Sequence, residues 1–135
     1  MSGIICDSDV LIDYWDVNKS RHFATKQIID NIIGLDHVLI SAITYMELMI
    51  GVKNKEDLVR KRKNLKAFNC ILLNESITQN AFVLLGQYRL SHGLSIPDCL
   101  IASSAIQINL PLSTYNLKDF NFIKDLTLYN AAFTK

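Results

Sequence analysis

Short apolar runs alternate with longer segments of mixed polarity along most of this chain. Apolar runs of four or five residues are typical of buried parallel strands, and the longer segments have the spacing of amphipathic helices. We predict strands at 3–6, 37–41, 70–73 and 111–113, with 126–129 as a fifth candidate. Strands that alternate with helices predict an α/β domain with a mostly parallel, four- or five-stranded sheet.

The helices are expected between these strands, and capping residues and glycines mark their ends. They are predicted at about 10–15, 21–33, 44–50, 55–67, 76–92 and 97–107. Gly34, Gly51 and Gly93 follow three of them, where helices commonly end. Thr44 and Ser76 are the expected N-caps of two others, because their hydroxyls can accept a hydrogen bond from a free backbone N–H.

The composition mainly serves to exclude classes of protein. A chain of 135 residues with 50% apolar and 20% charged residues is typical of one soluble globular domain, expected over 1–135. A net charge of +1 gives no global argument for nucleic acid or membrane, and no run approaches the roughly 20 apolar residues that span a bilayer. Without a basic leader or paired cysteines, we expect a cytoplasmic protein with three surface histidines.

Four acids lie where predicted strands end or helices begin. Asp7 directly follows the first strand, Glu47 lies in the first turn after the second strand, Asp98 begins a late helix and Asp119 follows the fourth strand. The carboxyl ends of parallel strands share one edge of the sheet, so we expect these acids to approach one another there. Asp9 adds a further negative charge two residues after Asp7.

Such a cluster indicates divalent-cation chemistry. Carboxylates brought together repel one another at neutral pH unless a cation neutralises them. Oxygen ligands without histidine or cysteine favour Mg²⁺ or Mn²⁺ over Zn²⁺. Metal-activated water suits phosphoryl transfer, and the hydroxyls of Ser8 and Thr114 could orient water or a ligand.

Helix capping is the competing structural interpretation for three of these acids. Each follows a potential cap by three residues: Thr44 precedes Glu47, Ser95 precedes Asp98, and Asn116 precedes Asp119. This is the spacing of a capping box or its looser form, and an acid in a first turn gains about 0.3–1 kcal/mol from the helix dipole. Capping does not account for Asp7, which closes a buried strand.

Together, four segments of the chain resemble the motifs of PIN domains, and more narrowly those of VapC-type toxins. They are residues 7–13, 41–51, 96–105 and 112–120. They occur in the family's order, and the resemblance extends over nearly the whole chain. The resemblance implies a three-layer α/β/α fold with a central, mostly parallel sheet. It also implies Mg²⁺- or Mn²⁺-dependent endoribonuclease activity on RNA, a homodimer, and inhibition by a cognate antitoxin protein.

The resemblance also implies roles for individual residues. The catalytic acids and metal ligands would be Asp7, Glu47, Asp98 and Asp119, and the supporting residues would be Ser8, Asp9, Thr114 and Asn116. Position 9 is often asparagine in the family. The aspartate at this position adds charge and could serve as an outer ligand.

The residues leave two other functions open. A strand that ends in Asp-x-Asp, as Asp7 and Asp9 do here, also begins haloacid-dehalogenase-like phosphatases, although no matching lysine or later acidic pair is found. A non-catalytic module that binds RNA or protein is the second alternative, and four intact acids argue against it. The basic segment 53–66 is either a solvated helix face or a surface that follows an RNA backbone.

Overall fold

A computed structural model describes residues 3–129, so the ends of the predicted domain, 1–2 and 130–135, lie outside the described part. The strands are β1 (Ile4–Cys6), β2 (Val38–Ser41), β3 (Asn69–Ile71) and β4 (Leu112–Ser113). The helices are α1 (Ser8–Trp15), α2 (His22–Gln27), α3 (Ala42–Ile50), α4 (Lys55–Leu65), α5 (Glu75–His92) and α6 (Ile96–Ile108). A π-helical segment, Ile28–Ile33, continues α2, and short 3₁₀ turns cover Leu35–His37 and Leu117–Asp119. The predicted alternation of strands and helices is confirmed.

The sheet is parallel and has the strand order β3-β2-β1-β4. Ile5 of β1 is aligned with Leu39 of β2 on one side and with Leu112 of β4 on the other. The candidate fifth strand is reduced to a single parallel bridge between Leu112 and Leu128. The order of the strands reverses between β1 and β4, and open α/β sheets bind ligands at the carboxyl end of such a switch point.

The two faces of the sheet are covered by different helices. Side chains alternate along a strand, so Ile5 packs with buried residues of α5 and α6 while Ile4 and Cys6 pack with those of α1, α3 and α4. These two apolar clusters lie on opposite sides of one sheet. The predicted three-layer α/β/α arrangement is therefore confirmed.

Two predicted helix caps are wrong. Helix α3 begins directly after β2, and its cap is Ser41, whose Oγ accepts from the backbone N–H of Thr44 at 3.1 Å. The cap of α5 is Asn74, whose Oδ1 accepts from the N–H of Ile77 at 2.8 Å, and not Ser76. A cap requires an extended backbone, which Ser41 has because it also ends a strand.

Some expectations about burial also change. His22 was predicted at the surface, but it is buried, with Nδ1 2.9 Å from the backbone oxygen of Asp13. Cys6 and Cys99 are buried free thiols, whereas Cys70 is exposed. In the part of the chain that the structure describes, no helix combines the length and hydropathy needed to cross a membrane.

Candidate active site

Asp7 lies at the switch point, between the ends of β1 and β4. It is the N-cap of α1, and its Oδ1 accepts from the backbone N–H of Ser8 at 2.8 Å. Its Oδ2 accepts from the hydroxyl of Thr114 at 2.9 Å, and only 5% of the residue is exposed. Within residues 3–129, no ion pair includes Asp7. A buried carboxylate is therefore held by neutral donors.

Asp9 lies in the first turn of α1 and connects this helix to the loop after β4. Its Oδ2 accepts from the backbone N–H of Tyr115 at 3.0 Å. Its other oxygen, Oδ1, is buried and has no hydrogen-bond partner among the described residues. The same loop is braced from within, because the N–H of Asn116 donates to Thr114 Oγ1 at 3.1 Å.

Glu47 projects from the second turn of α3. Since Ser41 is the cap, Glu47 lies six residues beyond it and cannot complete a capping box, so the capping interpretation of Glu47 is wrong. Its side chain reaches the start of α1, where Ser8 Oγ donates to Glu47 Oε1 over a long 3.5 Å. The remaining surface of Glu47 is exposed.

Asp98 and Asp119 differ in how capping applies to them. The Oγ of Ser95 caps α6 by accepting from the backbone N–H of Asp98 at 3.2 Å, so the predicted cap is confirmed there. The carboxyl of Asp98 is half-buried. Asp119 ends an exposed 3₁₀ turn, and Asn116 makes no side-chain cap. The capping interpretation is therefore wrong for Asp119.

The carboxyl groups nearest β1 are destabilised in their charged form. Burial raises the pKa of Asp7, and the charge of Asp119 raises it further, while the hydrogen bonds from Ser8 and Thr114 oppose this shift. Burial and the charge of Asp7 raise the pKa of Asp9 to about 6. Both effects follow from placing like charges close together in a poorly solvated site.

The pKa values of Asp98 and Glu47 are raised by the same two causes, burial and neighbouring charges. Burial raises the pKa of Asp98, followed by the charges of Asp7 and Asp119. Burial also raises the pKa of Glu47, with further contributions from Asp7 and Asp98. The charge of Asp119 thus acts on Asp7 and Asp98, and the charges of Asp7 and Asp98 act on Glu47. We call the region between these four acids the acidic crevice.

The four side chains surround the crevice without meeting at one point. Within residues 3–129, no group of three or more acidic, histidine or cysteine side chains is placed to hold a metal ion. The donor atoms, carboxylate and hydroxyl oxygens, are nevertheless of the kind that Mg²⁺ and Mn²⁺ prefer. The buried, unpartnered Oδ1 of Asp9 adds another oxygen donor next to Asp7.

The sequence did not predict an ion pair that lies beside the site. Asp13 is 5% exposed, and its Oδ2 forms an ion pair with Nε of Arg21 at 2.9 Å. The guanidinium carbon of Arg21 lies 3.8 Å from the ring centre of Tyr115. The one available signal was helical spacing, since Asp13 follows Asp9 by four residues and shares its helix face.

Solved structures with the same architecture include several toxin–antitoxin complexes. A chain of a toxin–antitoxin complex from Klebsiella pneumoniae is 28% identical, with a TM-score of 0.72 over 93% of this chain and 96% of that chain. A chain of VapBC2 from Rickettsia felis, solved with a DNA fragment from its promoter, is 26% identical, with a TM-score of 0.72 over 94% and 97% of the two chains. A chain of VapBC-1 from nontypeable Haemophilus influenzae, 23% identical with a TM-score of 0.71 over 96% and 98%, shows the shared fold.

Comparison with curated protein sequences finds no significant match. The family model that describes the PIN domain matches residues 4–124. That range contains all four segments whose motifs suggested the resemblance, together with the whole parallel sheet. The chain belongs to the PIN domain family.

Proposed function

We propose that this protein is a Mg²⁺- or Mn²⁺-dependent endoribonuclease that acts as the toxin of a toxin–antitoxin pair. One observation carries the proposal: Asp7 is buried at the switch point of the sheet, is bonded only to neutral donors, and is coupled to other acids. An uncompensated buried carboxylate is costly. A cation supplied from solution would remove that cost.

The proposed ligands are the four coupled acids, Asp7, Glu47, Asp98 and Asp119. The supporting residues are Ser8, Asp9, Thr114 and Asn116. When bound, the ion would supply an activated water and neutralise charge on the attacking and leaving oxygens of a phosphodiester.

The chain's own contribution is to orient the carboxylates. The bonds from Ser8 N–H and Thr114 Oγ1 fix both oxygens of Asp7. The bond from Ser8 Oγ draws the Glu47 carboxylate toward the same helix start. Ligands held by such neighbouring donors retain their orientation, which favours binding of an ion in one defined place.

The proposed partners are an RNA substrate, a cognate antitoxin and a second copy of the chain. The Klebsiella structure is a toxin–antitoxin complex, which supports an antitoxin partner here. An exposed apolar surface on α3 offers a contact site, since Met46 and Ile50 are 48% and 83% exposed. They line a cavity of about 470 Å³ with Tyr45, Met49 and Arg62. We propose that the chain acts as one domain in the cytoplasm.

The test is cleavage of a structured RNA with Mg²⁺, with and without a chelator. We compare the wild-type chain with Asp98→Asn, which removes a proposed ligand but keeps the backbone N–H that Ser95 caps. The matched control is Asp36→Asn, an exposed acid in the 35–37 turn. We expect the chelator and Asp98→Asn to abolish most cleavage, and the control to retain it.

Cleavage that resists the chelator, or that Asp98→Asn leaves intact, would contradict the metal-nuclease proposal. RNA binding without any cleavage would favour a non-catalytic module. The wild-type chain and Asp9→Asn are also assayed with RNA and with a phosphate monoester, because Asp9→Asn should abolish a haloacid-dehalogenase-like phosphatase but only weaken the proposed nuclease. The PIN domain match gives that phosphatase alternative no support.

A further inference from the structure

Arg21 is held beside the acidic crevice by a buried acid. It lies just before α2, and its side chain is 53% exposed, whereas the side chain of its partner Asp13 is 7% exposed. The ion pair joins Nε of Arg21 to Oδ2 of Asp13 at 2.9 Å. This contact uses one of the five N–H donors of a guanidinium, and an acid buried in the fold limits how the exposed end can turn.

An aromatic ring restrains the same guanidinium from a second direction. The guanidinium carbon lies 3.8 Å from the ring centre of Tyr115. The Tyr115 hydroxyl is hydrogen-bonded to the buried Thr25 Oγ1, and its backbone N–H donates to Asp9 Oδ2 at 3.0 Å. Because the ring is fixed at both ends, it forms a rigid platform for Arg21.

This platform adjoins the proposed catalytic acids. Thr114, the residue before Tyr115, donates to Asp7 Oδ2 at 2.9 Å. Asp13, the ion-pair partner of Arg21, follows Asp9 by four residues and lies on the same face of α1. An RNA strand that approaches these carboxylates meets repulsion, and a fixed cation at the edge offsets it.

We propose that Arg21 binds a backbone phosphate of the RNA substrate beside the acidic crevice, and that Asp13 and Tyr115 hold its guanidinium in place for that contact. This inference rests on the proposed ribonuclease function. The planar, forked guanidinium suits phosphate oxygens. Contacts to phosphate fix the register of a bound strand without reading its sequence.

The test measures RNA binding separately from cleavage. A fluorescent single-stranded RNA is titrated with the Asp98→Asn chain in Mg²⁺ by anisotropy, at salt concentrations from about 50 to 200 mM. Adding Arg21→Gln should raise Kd about tenfold, the effect of one charged hydrogen bond. It should also reduce the slope of log K against log salt by about 0.7, the value for one lost phosphate contact on a single strand.

The matched control is Lys26→Gln in α2. Lys26 has the same kind of partners, because its Nζ lies 2.8 Å from Asp30 Oδ2 and 5.0 Å from the ring centre of Tyr14. Within residues 3–129, neither of these partners is hydrogen-bonded to the loop after β4. We expect Lys26→Gln to leave both Kd and the salt slope unchanged.

Two further comparisons separate phosphate binding from a loss of folding. Arg21→Lys keeps the charge and should retain most of the salt slope. Arg21→Gln leaves Asp13 buried without its cation, so the comparison of Asp13→Asn with Asp13→Asn/Arg21→Gln repeats the measurement without that uncompensated charge. Melting curves confirm that each chain is folded.

Steady-state kinetics of Arg21→Gln in the chain that retains Asp98 provide a second test. Loss of a phosphate contact made equally in the ground and transition states should raise KM with little change in kcat. A fall in kcat at constant KM would overturn the inference in favour of a role at the reacting atoms.

The remaining outcomes distinguish this inference from the proposed function. If the wild-type chain cleaves RNA and Arg21→Gln keeps its Kd and salt slope, the inference is wrong and the ribonuclease proposal stands. If Arg21→Gln keeps RNA binding but loses binding to an acidic peptide, Arg21 serves a protein partner and the inference is wrong. If the wild-type chain neither binds nor cleaves RNA, the proposed function itself fails.

Discussion

Asp7 caps a short helix and Asp13 lies within that helix; both are equally buried, each 5% exposed, yet their surroundings are opposite. Asp13 is paired with the guanidinium of Arg21 at 2.9 Å. Asp7 is bonded to a backbone N–H and a threonine hydroxyl, and the charge of Asp119 raises its pKa beyond the effect of burial. Burial alone therefore does not distinguish a carboxylate that is paired with a cation in the fold from one that is not, whereas the charge of its neighbours does.

The difference follows from where each acid lies on the helix. Asp7 caps α1 at the carboxyl end of β1, where loops after other strands bring further acids close. Asp13 lies in the second turn of α1, and its partner Arg21 lies at the start of α2. The fold supplies a cation to Asp13, and we propose that Asp7 obtains one from solution. Perturbed carboxyl groups of this second kind cluster at functional sites.

The largest expected effect is on catalysis. Asp7→Asn should lower kcat for RNA cleavage at least about a hundredfold, because a ligand that places the ion stabilises charge in the transition state. Asp13→Asn should leave kcat nearly unchanged and raise KM instead, since Asp13 acts through Arg21. Initial rates at saturating Mg²⁺ give both values, and equal losses in the two variants would remove the distinction between these acids.

The next effect is stabilisation by the metal. At a Mg²⁺ concentration one hundred times Kd, the free energy of unfolding should rise by about 2.7 kcal/mol. This gain should persist in Asp13→Asn and be lost in Asp7→Asn. It should also be smaller at pH 5 than at pH 7.5, because protons compete for carboxyl groups whose pKa values are raised. Thermal melts with and without the ion measure it, and Asp36→Asn is the control.

A smaller effect concerns stability without metal. Asp13→Asn should cost about 1–2 kcal/mol, less than the 3–5 kcal/mol of a fully buried ion pair, because Arg21 is half exposed. Asp7→Asn should cost nothing or stabilise the metal-free chain, since it removes an uncompensated charge. Urea denaturation at pH 7.5 with a chelator present compares them. Destabilisation of both variants to the same extent would contradict the contrast.

The smallest effect is the pH dependence contributed by Asp9. Its pKa is raised from 3.8 to about 6 in the folded chain. Ionisation of Asp9 therefore lowers the stability of the fold as the pH rises between these two values, and the full loss is reached above the upper value. Asp9→Asn should therefore stabilise the metal-free chain at pH 7.5 by about 1 kcal/mol. This is less than the full free energy of the pKa shift, because the group is partly solvated. Asparagine keeps an oxygen for the Tyr115 N–H.

The stabilisation by Asp9→Asn should disappear near pH 4, where the aspartate is protonated in the folded chain and only partly ionised in the unfolded chain. Melting temperatures at pH 4 and pH 7.5 provide the comparison. A variant less stable than wild type at pH 7.5 would show that the carboxylate contributes more through its hydrogen bond than it costs through its charge.

Much of the fold and part of the site followed from the sequence. Apolar runs identified the strands because burial on both faces requires continuous hydrophobicity. The acids after those strands were found because parallel strands end at one edge, whatever the details of packing. The coupling of Asp7 with Asp119, 112 residues later in the chain, was therefore expected without knowledge of any contact.

Tertiary structure decided which local pattern prevailed. Thr44 had the spacing of a cap for Glu47, but Ser41 takes that role because β2 runs directly into α3. Asp9 contacts the backbone of Tyr115, 106 positions away, and Arg21 reaches both Asp13 and Tyr115. Helical and strand periods encode which face is apolar, whereas pairing between distant segments depends on how the layers pack. The sequence by itself placed four acids at one edge of the sheet, whereas packing supplied the cation partner of Asp13, an acid that the sequence did not single out.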